Sequence, residues 1–334
     1  MLEKDFGKDI KEICLVGYYG FGNIGDDAIL LAAIEEYTKA YNLYVRILAN
    51  KHPYVYNMLK NHDNVVIYDR WSIRDINECI YHSDAVIFGG GGIFQDKTSL
   101  KSFLYYFSIA LLAKINSKKI IIERNSIGPL EKKLSKFLFS KVVQWASYIS
   151  VRDSFSFDFL TRNYPAFSYK YHKKEDFVLN PIVSDLFQRY YSNKKENDVL
   201  FILRPSKYVQ NLINLATLLK DKFRIKIIVF QEKDMETLSN FTQRDIKIEY
   251  PGYGEVHKTI ELVKSSNLVI SNRLHGVIFS HLVNTKVIAI SIDPKIEGFC
   301  KDYAVEFYYE EDLQNGMNQI QNRIEELILQ ISSG

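Results

Sequence analysis

Two kinds of hydrophobic pattern alternate along this chain and restrict it to an α/β fold. Short runs of apolar, mostly β-branched residues have the length of buried strands, and stretches with apolar residues at every third or fourth position lie between them. Strands separated by helices are typical of a parallel sheet covered by helices. The alternation runs from residue 13 to residue 153 and starts again at Asp198. We therefore predict two doubly wound, Rossmann-like domains that face each other across a cleft.

The interruption of this pattern gives the predicted domain boundaries. Residues 164–198 are polar and have few periodic apolar positions, which indicates a connection between domains. We predict an N-terminal domain over residues 1–175 and a C-terminal domain over residues 176–310. Residues 311–334 are predicted to form a terminal amphipathic helix, because their apolar positions follow steps of three and four.

Composition excludes several classes of protein. The chain has 334 residues, of which 47% are hydrophobic, and a net charge of +3 without a basic arm disfavours nucleic-acid binding. Its three cysteines are scattered, so a reducing cytoplasm is expected. The first nine residues lack an apolar signal core, and no apolar run approaches the ~18 residues of a membrane span. We predict a cytoplasmic protein with at most peripheral contact at the inner face of the membrane.

Charged and titratable side chains follow two neighbouring predicted strands. Arg273 and His275 lie where a buried strand passes into a helix, a junction at which backbone N–H groups bind anions. Lys295 follows the next predicted strand. Because the carboxyl ends of parallel strands share one edge, we expect these three side chains to line one crevice. Together they indicate a small polyanion as ligand.

The first predicted strand is followed by a glycine-rich loop. Gly20, Gly22 and Gly25 match G-x-G-x-x-G, which is typical of a dinucleotide site. Two observations disfavour that site here. No acidic residue ends the second strand, and Asp26 and Asp27, placed before a helix predicted over residues 28–40, would repel a pyrophosphate. Either both carboxylates cap this helix, or one caps it and the other binds hydroxyls or accepts a proton.

A second glycine run, residues 89–92, directly follows a predicted buried strand and precedes Ile93-Phe94-Gln95-Asp96. Consecutive glycines in such a place serve a loop whose backbone approaches a ligand or another backbone closely. A flexible linker is a poor alternative, because apolar residues resume at once.

Five motifs can be read in order along the chain. They are residues 17–30 (GYYGFGNIGDDAIL), 89–96 (GGGGIFQD) and 149–153 (ISVRD), then Arg273-Leu274-His275 and Asp293-Pro294-Lys295. In this order they resemble the polysaccharide pyruvyl transferases, which include the ketal-pyruvyl transferases of bacterial cell-surface polysaccharides. The resemblance implies a GT-B-like fold, a transferase activity and phosphoenolpyruvate as pyruvyl donor. It also implies a pyruvate ketal on a sugar of a polysaccharide or of its lipid-linked precursor as product.

The resemblance also assigns roles by position. Arg152, His275 and Lys295 match the residues that the family uses on the donor. Arg and Lys suit the carboxylate and phosphate of phosphoenolpyruvate, and an imidazole, which titrates near neutrality, suits protonation of its methylene group. Further donor contacts are expected from Arg273, Asn272 and Arg204. Acceptor contacts are expected from Asn23, Asp26, Asp27, Gln95 and Asp96.

Two segments depart from the family pattern. Residues 124–129 read RNSIGP where relatives have QGIGP, and the Asp-Pro/Ile-Ala element that is common after the first domain appears only as EDFV at residues 175–178. The loop chemistry therefore differs, and the identity of the acceptor sugar stays open.

The expected partners are phosphoenolpyruvate and a saccharide acceptor, including one linked to polyprenyl diphosphate. No cofactor or metal is expected, because no His/Cys/Asp cluster has ligand spacing. One alternative is a GT-B glycosyltransferase that uses a nucleotide sugar and releases a nucleoside diphosphate. The other is a non-catalytic sugar- or nucleotide-binding module of polysaccharide assembly, which has no evident need of a titratable group such as His275.

Overall fold

The computed structural model describes residues 10–97, 99–188, 195–240 and 247–333. The chain divides into two compact units. The first consists of Met1–Phe21 with Asp26–Val183, and the second of Gly22–Gly25 with Ser184–Gly334. Each unit is an α/β layer structure built on one parallel sheet.

Seven parallel strands form the sheet of the first unit. They are β1 (Glu12–Val16), β2 (Tyr44–Ala49), β3 (Val65–Asp69), β4 (Ala85–Gly89), β5 (Lys119–Asn125), β6 (Tyr148–Val151) and β7 (Tyr171–Lys173). Their order is β3-β2-β1-β4-β5-β6-β7, so the direction of winding reverses between β1 and β4. Ligands of such sheets bind at the carboxyl ends of the strands near this reversal. All five residues of β4 are buried, as expected for a strand covered on both faces.

Helices connect these strands. They are α1 (Ile24–Glu35), which continues as a π-helix (Glu36–Ala40), α2 (Pro53–Leu59), α3 (Ile73–Tyr81), α4 (Leu100–Ile115), α5 (Lys133–Trp145) and α6 (Ser154–Asn163). Two 3-10 helices (Pro165–Lys170 and Phe177–Leu179) and α7 (Pro181–Gln188) follow. One core cluster joins the buried sides of α3, α4, α5 and α6 to the strands, so these four helices cover the same face of the sheet.

Six parallel strands form the sheet of the second unit. They are β8 (Asn197–Leu203), β9 (Ile225–Val229), β10 (Ile248–Glu249), β11 (Ser266–Ser271), β12 (Lys286–Ser291) and β13 (Phe307–Tyr309). The order β10-β9-β8-β11-β12-β13 repeats the winding of the first unit, with the reversal between β8 and β11. The helices are α8 (Val209–Leu219), α9 (Glu232–Ser239), α10 (Val256–Lys264), α11 (Leu274–Leu282), α12 (Pro294–Asp302), α13 (Asp312–Asn315) and α14 (Met317–Ser333). Ile320, Ile324 and Leu327 of α14 belong to the core of this unit.

The predicted fold class is confirmed, since both sheets are parallel and doubly wound. Three details of the prediction are wrong. The described part of the polar segment over residues 164–198 holds two 3-10 helices, β7, α7 and the start of β8, and β7 joins the sheet by pairing with β6. The terminal amphipathic pattern forms two helices that Gly316 separates. The first long helix begins at Ile24 rather than near residue 28.

The first of these differences has a tertiary cause. β7 is three residues long and two of them are exposed, so it carries no periodic signal and forms only because β6 offers a free edge. The predicted end of a helix at Phe241, the predicted start of a strand at Ile246 and residues 189–194 of the predicted connection lie outside the described residues.

Candidate active site

Cationic side chains follow three adjacent strands of the second unit. Arg204 follows β8, Arg273 and His275 follow β11, and Lys295 follows β12. β11 pairs with β8 on one side and with β12 on the other. The predicted placement of Arg273, His275 and Lys295 at neighbouring strand ends agrees with this pairing. These strand ends lie at the reversal of the strand order in the sheet.

Asn272 holds the ends of β8 and β11 together. Its side chain is fully buried, its Oδ1 accepts the backbone N–H of Arg204 at 2.8 Å, and its Nδ2 donates to the Arg204 carbonyl oxygen at 3.0 Å. The Nδ2 also donates to Ser206 Oγ at 3.2 Å. The amide is therefore engaged by the protein on both sides, and it fixes the backbone of Arg204.

Arg273 carries a charge that the protein itself balances. Its guanidinium forms an ion pair with Asp234 of α9, and both side chains are buried. The guanidinium carbon also lies 5.8 Å from the centre of the Phe230 ring. By contrast, Arg204 is 41% exposed and its nearest carboxylate oxygen, on Asp293, is 3.9 Å away. Arg204 is therefore better placed than Arg273 to neutralise a bound anion.

The helices that follow β11 and β12 begin differently. Asp293 caps α12, because its Oδ1 accepts the N–H groups of Lys295 at 3.0 Å and Ile296 at 3.3 Å. No side chain caps α11, which begins after Arg273. Uncapped N–H groups and the positive end of the helix dipole attract anions. The N-terminus of α11, with His275 in its first turn, is thus the better suited of the two to a phosphate or carboxylate.

The second unit also contains Gly22–Gly25. Its contacts explain why the last position of the G-x-G-x-x-G motif, Gly25, is a glycine. A Cβ atom built on Gly25 would lie 2.2 Å from His275 Nδ1, so only glycine leaves room for the imidazole. Asn23 Oδ1 accepts the N–H of Gly25 at 3.3 Å. The imidazole is 6.1 Å from the Phe279 ring, between centroids. The last glycine of the motif therefore makes room for the His275 side chain. This agrees with the prediction that the motif is not a dinucleotide site.

Asp26 and Asp27 occupy different environments in the first unit. Both stand in the first turn of α1, so the prediction that they cap this helix is wrong. Asp27 is buried and accepts the Tyr54 hydroxyl at 2.9 Å. Asp26 is half-buried, and its Oδ1 lies 3.3 Å from the position that a Cβ on Gly91 would take. Asp26 is thus the carboxylate beside the glycine run.

The glycine run itself packs closely against other parts of the first unit, as its sequence predicts. Gly90 has φ +65 and Gly91 has φ +71, a region that L side chains rarely adopt. A Cβ on Gly90 would lie 2.5 Å from Ile29 Cγ2, and the Gly91 carbonyl oxygen accepts the N–H of Ser126 at 2.7 Å. The run therefore brings the carboxyl end of β4 against α1 and the loop after β5.

Asp96 and Gln95 follow this run, and Asp96 is bound to a neighbouring loop. Its two carboxylate oxygens accept the N–H groups of Glu131 at 2.8 Å and Lys132 at 2.9 Å. Burial alone would raise the pKa of Asp96, but these backbone donors outweigh burial and lower it. Asp96 is buried and Gln95 half-buried, so of the two Gln95 is the more accessible to an acceptor.

Arg70 is a buried cation that was not predicted from the sequence. It directly follows β3, and its Nη1 donates to the Gly17 carbonyl oxygen at 2.9 Å. Within the described part of the chain no carboxylate lies at ion-pair distance, and Nε has no hydrogen-bond partner. Its position after a strand, the same signal that singled out Arg273, could have found it.

Aromatic rings surround the Arg70 guanidinium. The guanidinium carbon lies 4.4 Å from the ring centre of Tyr105, 4.9 Å from that of Phe21 and 5.3 Å from that of Trp71. Phe21 stacks on Tyr18 at 4.2 Å, and Trp71 is 62% exposed. We call Tyr18, Phe21, Trp71 and Tyr105 the aromatic cluster. Burial and the negative charge of Asp26 raise the pKa of Tyr18, whereas Arg70 lowers it, so both charges act at this cluster.

Arg152 lies at the end of β6 in the first unit and is buried. Its Nε donates to Ser126 Oγ at 2.9 Å, and its Nη1 forms an ion pair with Asp176 at 2.5 Å. Ser126 Oγ in turn donates to Asp153 Oδ2 at 2.7 Å. The predicted catalytic arginine thus belongs to a buried polar network. Asp176, the partner, comes from the segment in which the chain departs from the family pattern.

Comparison with known proteins decides the family. The sequence profile of the polysaccharide pyruvyl transferases matches residues 23–294. The chain belongs to this family. No curated protein matches the chain.

Solved structures share the fold at low sequence identity. S. aureus MnaA in complex with UDP is 12% identical, with 96% of this chain and 90% of that chain covered and a TM-score of 0.63. Anabaena Alr3699/HepE with UDP and glucose is 11% identical over 97% of this chain and 93% of that chain, with a TM-score of 0.61. The UDP-GlcNAc 2-epimerase from Neisseria meningitidis bound to UDP-GlcNAc is 14% identical over 96% and 94%, with a TM-score of 0.59. The predicted GT-B-like fold is confirmed.

The structure also shows the surroundings of Arg124, which opens the segment (residues 124–129) in which this pyruvyl transferase family member departs from the family pattern. Arg124 adopts φ +51, and its guanidinium donates to both carboxylate oxygens of Glu36 at 2.7 and 3.1 Å. Glu123 Oε1 accepts Lys174 Nζ at 3.2 Å. Burial raises the pKa of Glu123, although Lys174 and Arg124 oppose the shift. Arg124 is therefore part of an internal charge network.

Among the described residues, no helix is long and apolar enough to cross a membrane.

Proposed function

We propose that this pyruvyl transferase family member transfers the pyruvyl group of phosphoenolpyruvate to a sugar and releases phosphate. The sugar belongs to a cell-surface polysaccharide or to its lipid-linked precursor, and the reaction takes place in the cytoplasm. One observation carries the proposal: in a chain of this family, Arg204, His275 and Lys295 follow three adjacent strands at the reversal of the second sheet.

Charge complementarity supports phosphoenolpyruvate as the donor. The molecule is a small polyanion whose carboxylate and phosphate are attached to one vinyl carbon. Arg204 and Lys295 supply positive charge, and the uncapped N-terminus of α11 supplies oriented N–H groups. Arg152 is assigned to the donor by its position in the family motif, and Asp176 fixes its guanidinium.

The reaction consists of an addition and then a substitution at one carbon. The His275 imidazolium donates a proton to the methylene carbon of phosphoenolpyruvate, which becomes a methyl group, and the adjacent carbon takes the oxygen of a sugar hydroxyl. A second hydroxyl then replaces phosphate at that carbon and closes the ketal. Of the two hydroxyl protons released, one restores the imidazolium and the other leaves with phosphate. An imidazole suits this cycle because it both donates and accepts a proton near neutral pH.

The carboxyl edge of the first sheet has the chemistry of a sugar site. Trp71 and the half-buried rings of the aromatic cluster offer apolar faces to the C–H groups of a pyranose. Asp26, beside Gly91, offers a carboxylate to hydroxyl groups. Asp26 is therefore our candidate for accepting the hydroxyl proton that then leaves with phosphate. Asn23 and Gln95 are our candidates for further acceptor contacts.

Phosphate release tests the proposal. The purified protein is incubated with phosphoenolpyruvate and a panel of nitrophenyl and lipid-linked sugars, and inorganic phosphate and the mass of the sugar product are measured. We expect acceptor-dependent phosphate release and a product heavier by one pyruvate ketal. Phosphoenolpyruvate should also raise the melting temperature, because ligation stabilises the native state. If phosphoenolpyruvate shifts nothing while a nucleotide sugar does, the donor assignment is wrong.

A second candidate is a glycosyltransferase that uses a nucleotide sugar. It is favoured by the three solved structures of similar fold described above, each of which contains UDP or a UDP-sugar. The same assay distinguishes the two candidate functions, since a glycosyltransferase releases UDP and attaches a sugar instead of a ketal.

A further inference from the structure

The outer surface of α4 and α5 in the first unit is unusually apolar. Five large hydrophobic side chains on these two helices are exposed, namely Leu104 (37%), Leu111 (37%), Ile115 (68%), Leu134 (51%) and Phe137 (59%). We call this surface the α4–α5 face. Single exposed apolar residues need no explanation, but a group of them on one surface marks an interaction site.

The geometry of the two helices places these side chains on one surface. The opposite sides of both helices, including Phe103, Tyr106, Phe139 and Val142, are buried in the same core cluster against the sheet. Phe107 of α4 and Trp145 of α5 pack together with their ring centroids 5.9 Å apart. Because the helices lie side by side with their buried faces toward the sheet, their exposed faces look in the same direction.

All charged residues of these helices are positive. α4 and α5 contain five lysines, Lys101, Lys114, Lys133, Lys136 and Lys141, and neither helix contains an Asp or Glu. Over residues 97–141 the sequence has nine lysines and two glutamates, of which Glu123 is buried. Lys141 Nζ lies 5.4 Å from the ring centre of Phe137, so cationic and apolar groups are interleaved.

We propose that the α4–α5 face binds the surface of an anionic lipid bilayer. Leucine, isoleucine and phenylalanine side chains enter the boundary between headgroups and acyl chains, while the long apolar stems of lysine let their ammonium groups reach the lipid phosphates. Each lysine near an anionic surface contributes attraction, and the contributions add.

Charge also decides between the bilayer and a second copy of the chain. In a two-fold dimer the same patch meets itself, so the lysines of one copy would face those of the other. That arrangement brings like charges together while the apolar side chains are desolvated. A bilayer with anionic headgroups instead balances every lysine.

This inference does not depend on the reaction, because it concerns a surface without any residue of the proposed active site. It would bring the enzyme to a lipid-linked acceptor if the proposed function holds. The test below uses no substrate, so its failure leaves the proposed function standing, and absence of pyruvyl transfer leaves the membrane inference standing.

Vesicle co-sedimentation of the full chain tests the inference. The probes are phosphatidylcholine vesicles with and without phosphatidylglycerol. We expect binding to the anionic vesicles only, with a loss at high salt because surface attraction is screened. Leu111→Glu with Phe137→Glu should lower the partition coefficient at least ~10-fold, since both apolar contacts are lost and negative charge is added.

Matched variants control for general effects. Leu329→Glu changes a leucine that is 66% exposed on α14 of the second unit, and it should bind vesicles like the wild type. Lys133→Ala with Lys136→Ala should reduce binding ~10-fold or more, at about 1 kcal/mol per lysine. Lys60→Ala with Lys233→Ala removes two exposed lysines elsewhere and should leave binding nearly unchanged.

Three results would overturn the proposal. One is no binding to anionic vesicles, and another is equal loss in the control variants. The third is a change of oligomeric state. The wild type would be a dimer in size-exclusion chromatography, and Leu111→Glu with Phe137→Glu would abolish the dimer while vesicle binding stays unchanged. The face would then be an interface between copies of the chain. Circular dichroism melting of each variant confirms that it is folded, as expected for substitutions at exposed positions.

Discussion

Arg152 and Asp176 form a buried ion pair that ties the end of β6 to the segment before α7. Removal of one partner from such a pair leaves the other charge buried without compensation. Arg152→Ala should therefore lower the free energy of unfolding by ~3–5 kcal/mol, measured by urea denaturation. Arg162→Ala is the control, because Arg162 is exposed on α6 and its pair with Asp158 should contribute less than ~1 kcal/mol. Equal stability of the two variants would show that the buried pair contributes little.

The role of Arg152 in donor binding needs a measurement at a temperature where the variant is folded. Loss of a charge-assisted contact should weaken phosphoenolpyruvate binding by ~10- to 150-fold, or ~1.5–3 kcal/mol. Calorimetric titration of folded Arg152→Ala measures this directly. An unchanged affinity would limit Arg152 to a structural role.

Lys295 should act mainly on the donor. Lys295→Ala is expected to weaken phosphoenolpyruvate binding by ~10- to 150-fold, because a point charge near the anion is lost. Lys301→Ala on the same helix is the matched control, since Lys301 is exposed and paired with Glu297 within α12. Similar affinities for both variants would remove Lys295 from the donor site.

His275 should affect the rate far more than binding. His275→Gln keeps the approximate size and hydrogen bonding of the side chain, so turnover should fall by ~10²–10⁴-fold with a much smaller change in donor affinity. His281→Gln changes another histidine of α11, which packs against Phe299 and Tyr303, and should retain most activity. Turnover of His275→Gln near the wild-type rate would contradict the proposed acid. Lower stability of His275→Gln without a selective loss of rate would indicate a packing role.

Substitution of Asp26 should affect turnover, whereas substitution of Asp27 should affect stability. Asp26→Asn is expected to reduce turnover while donor affinity and stability stay near wild type, because Asp26 is half-buried beside the glycine run. Asp27→Ala should lower the free energy of unfolding by ~1–3 kcal/mol, since the buried Tyr54 hydroxyl loses its acceptor. Urea denaturation and steady-state kinetics on both variants test this. A large loss of donor binding in Asp26→Asn would place the donor, and not the acceptor, at this carboxylate.

Glu123 should make stability depend on pH. Burial raises its folded pKa above the ordinary value of 4.5, so the folded state binds the proton more tightly than the unfolded state. Its contribution to stability is therefore greatest below pH 4.5 and is lost as pH rises from there through the folded pKa. The stability of Glu123→Gln relative to wild type should increase with pH across this window and then level off. A difference that is constant with pH would contradict the raised pKa.

Periodicity and strand-end chemistry in the sequence determined the fold class and much of the candidate site. Buried parallel strands are continuous apolar runs, so β4, β11 and β12 could be found from local composition. Arg273, His275 and Lys295 follow such runs, and the shared carboxyl edge of a parallel sheet made their placement at neighbouring strand ends predictable. Arg70 carries the same signal after β3 and was missed, because the half-buried rings of Phe21 and Tyr105 that distinguish it come from distant parts of the chain.

Tertiary structure alone decided which of these polar groups the protein itself uses. Sequence spacing cannot show that Asp234 balances Arg273, that Asp176 pairs with Arg152, or that Asn272 binds the backbone of Arg204, because each partner comes from a different element. The same holds for β7, which exists only because β6 offers an edge to pair with, and for the lysine-rich α4–α5 face, which needs the sheet to define its outer side. Local pattern fixes what an element is, whereas the pairing of charges and edges depends on contacts between residues far apart in the chain, which form only when the sheets assemble.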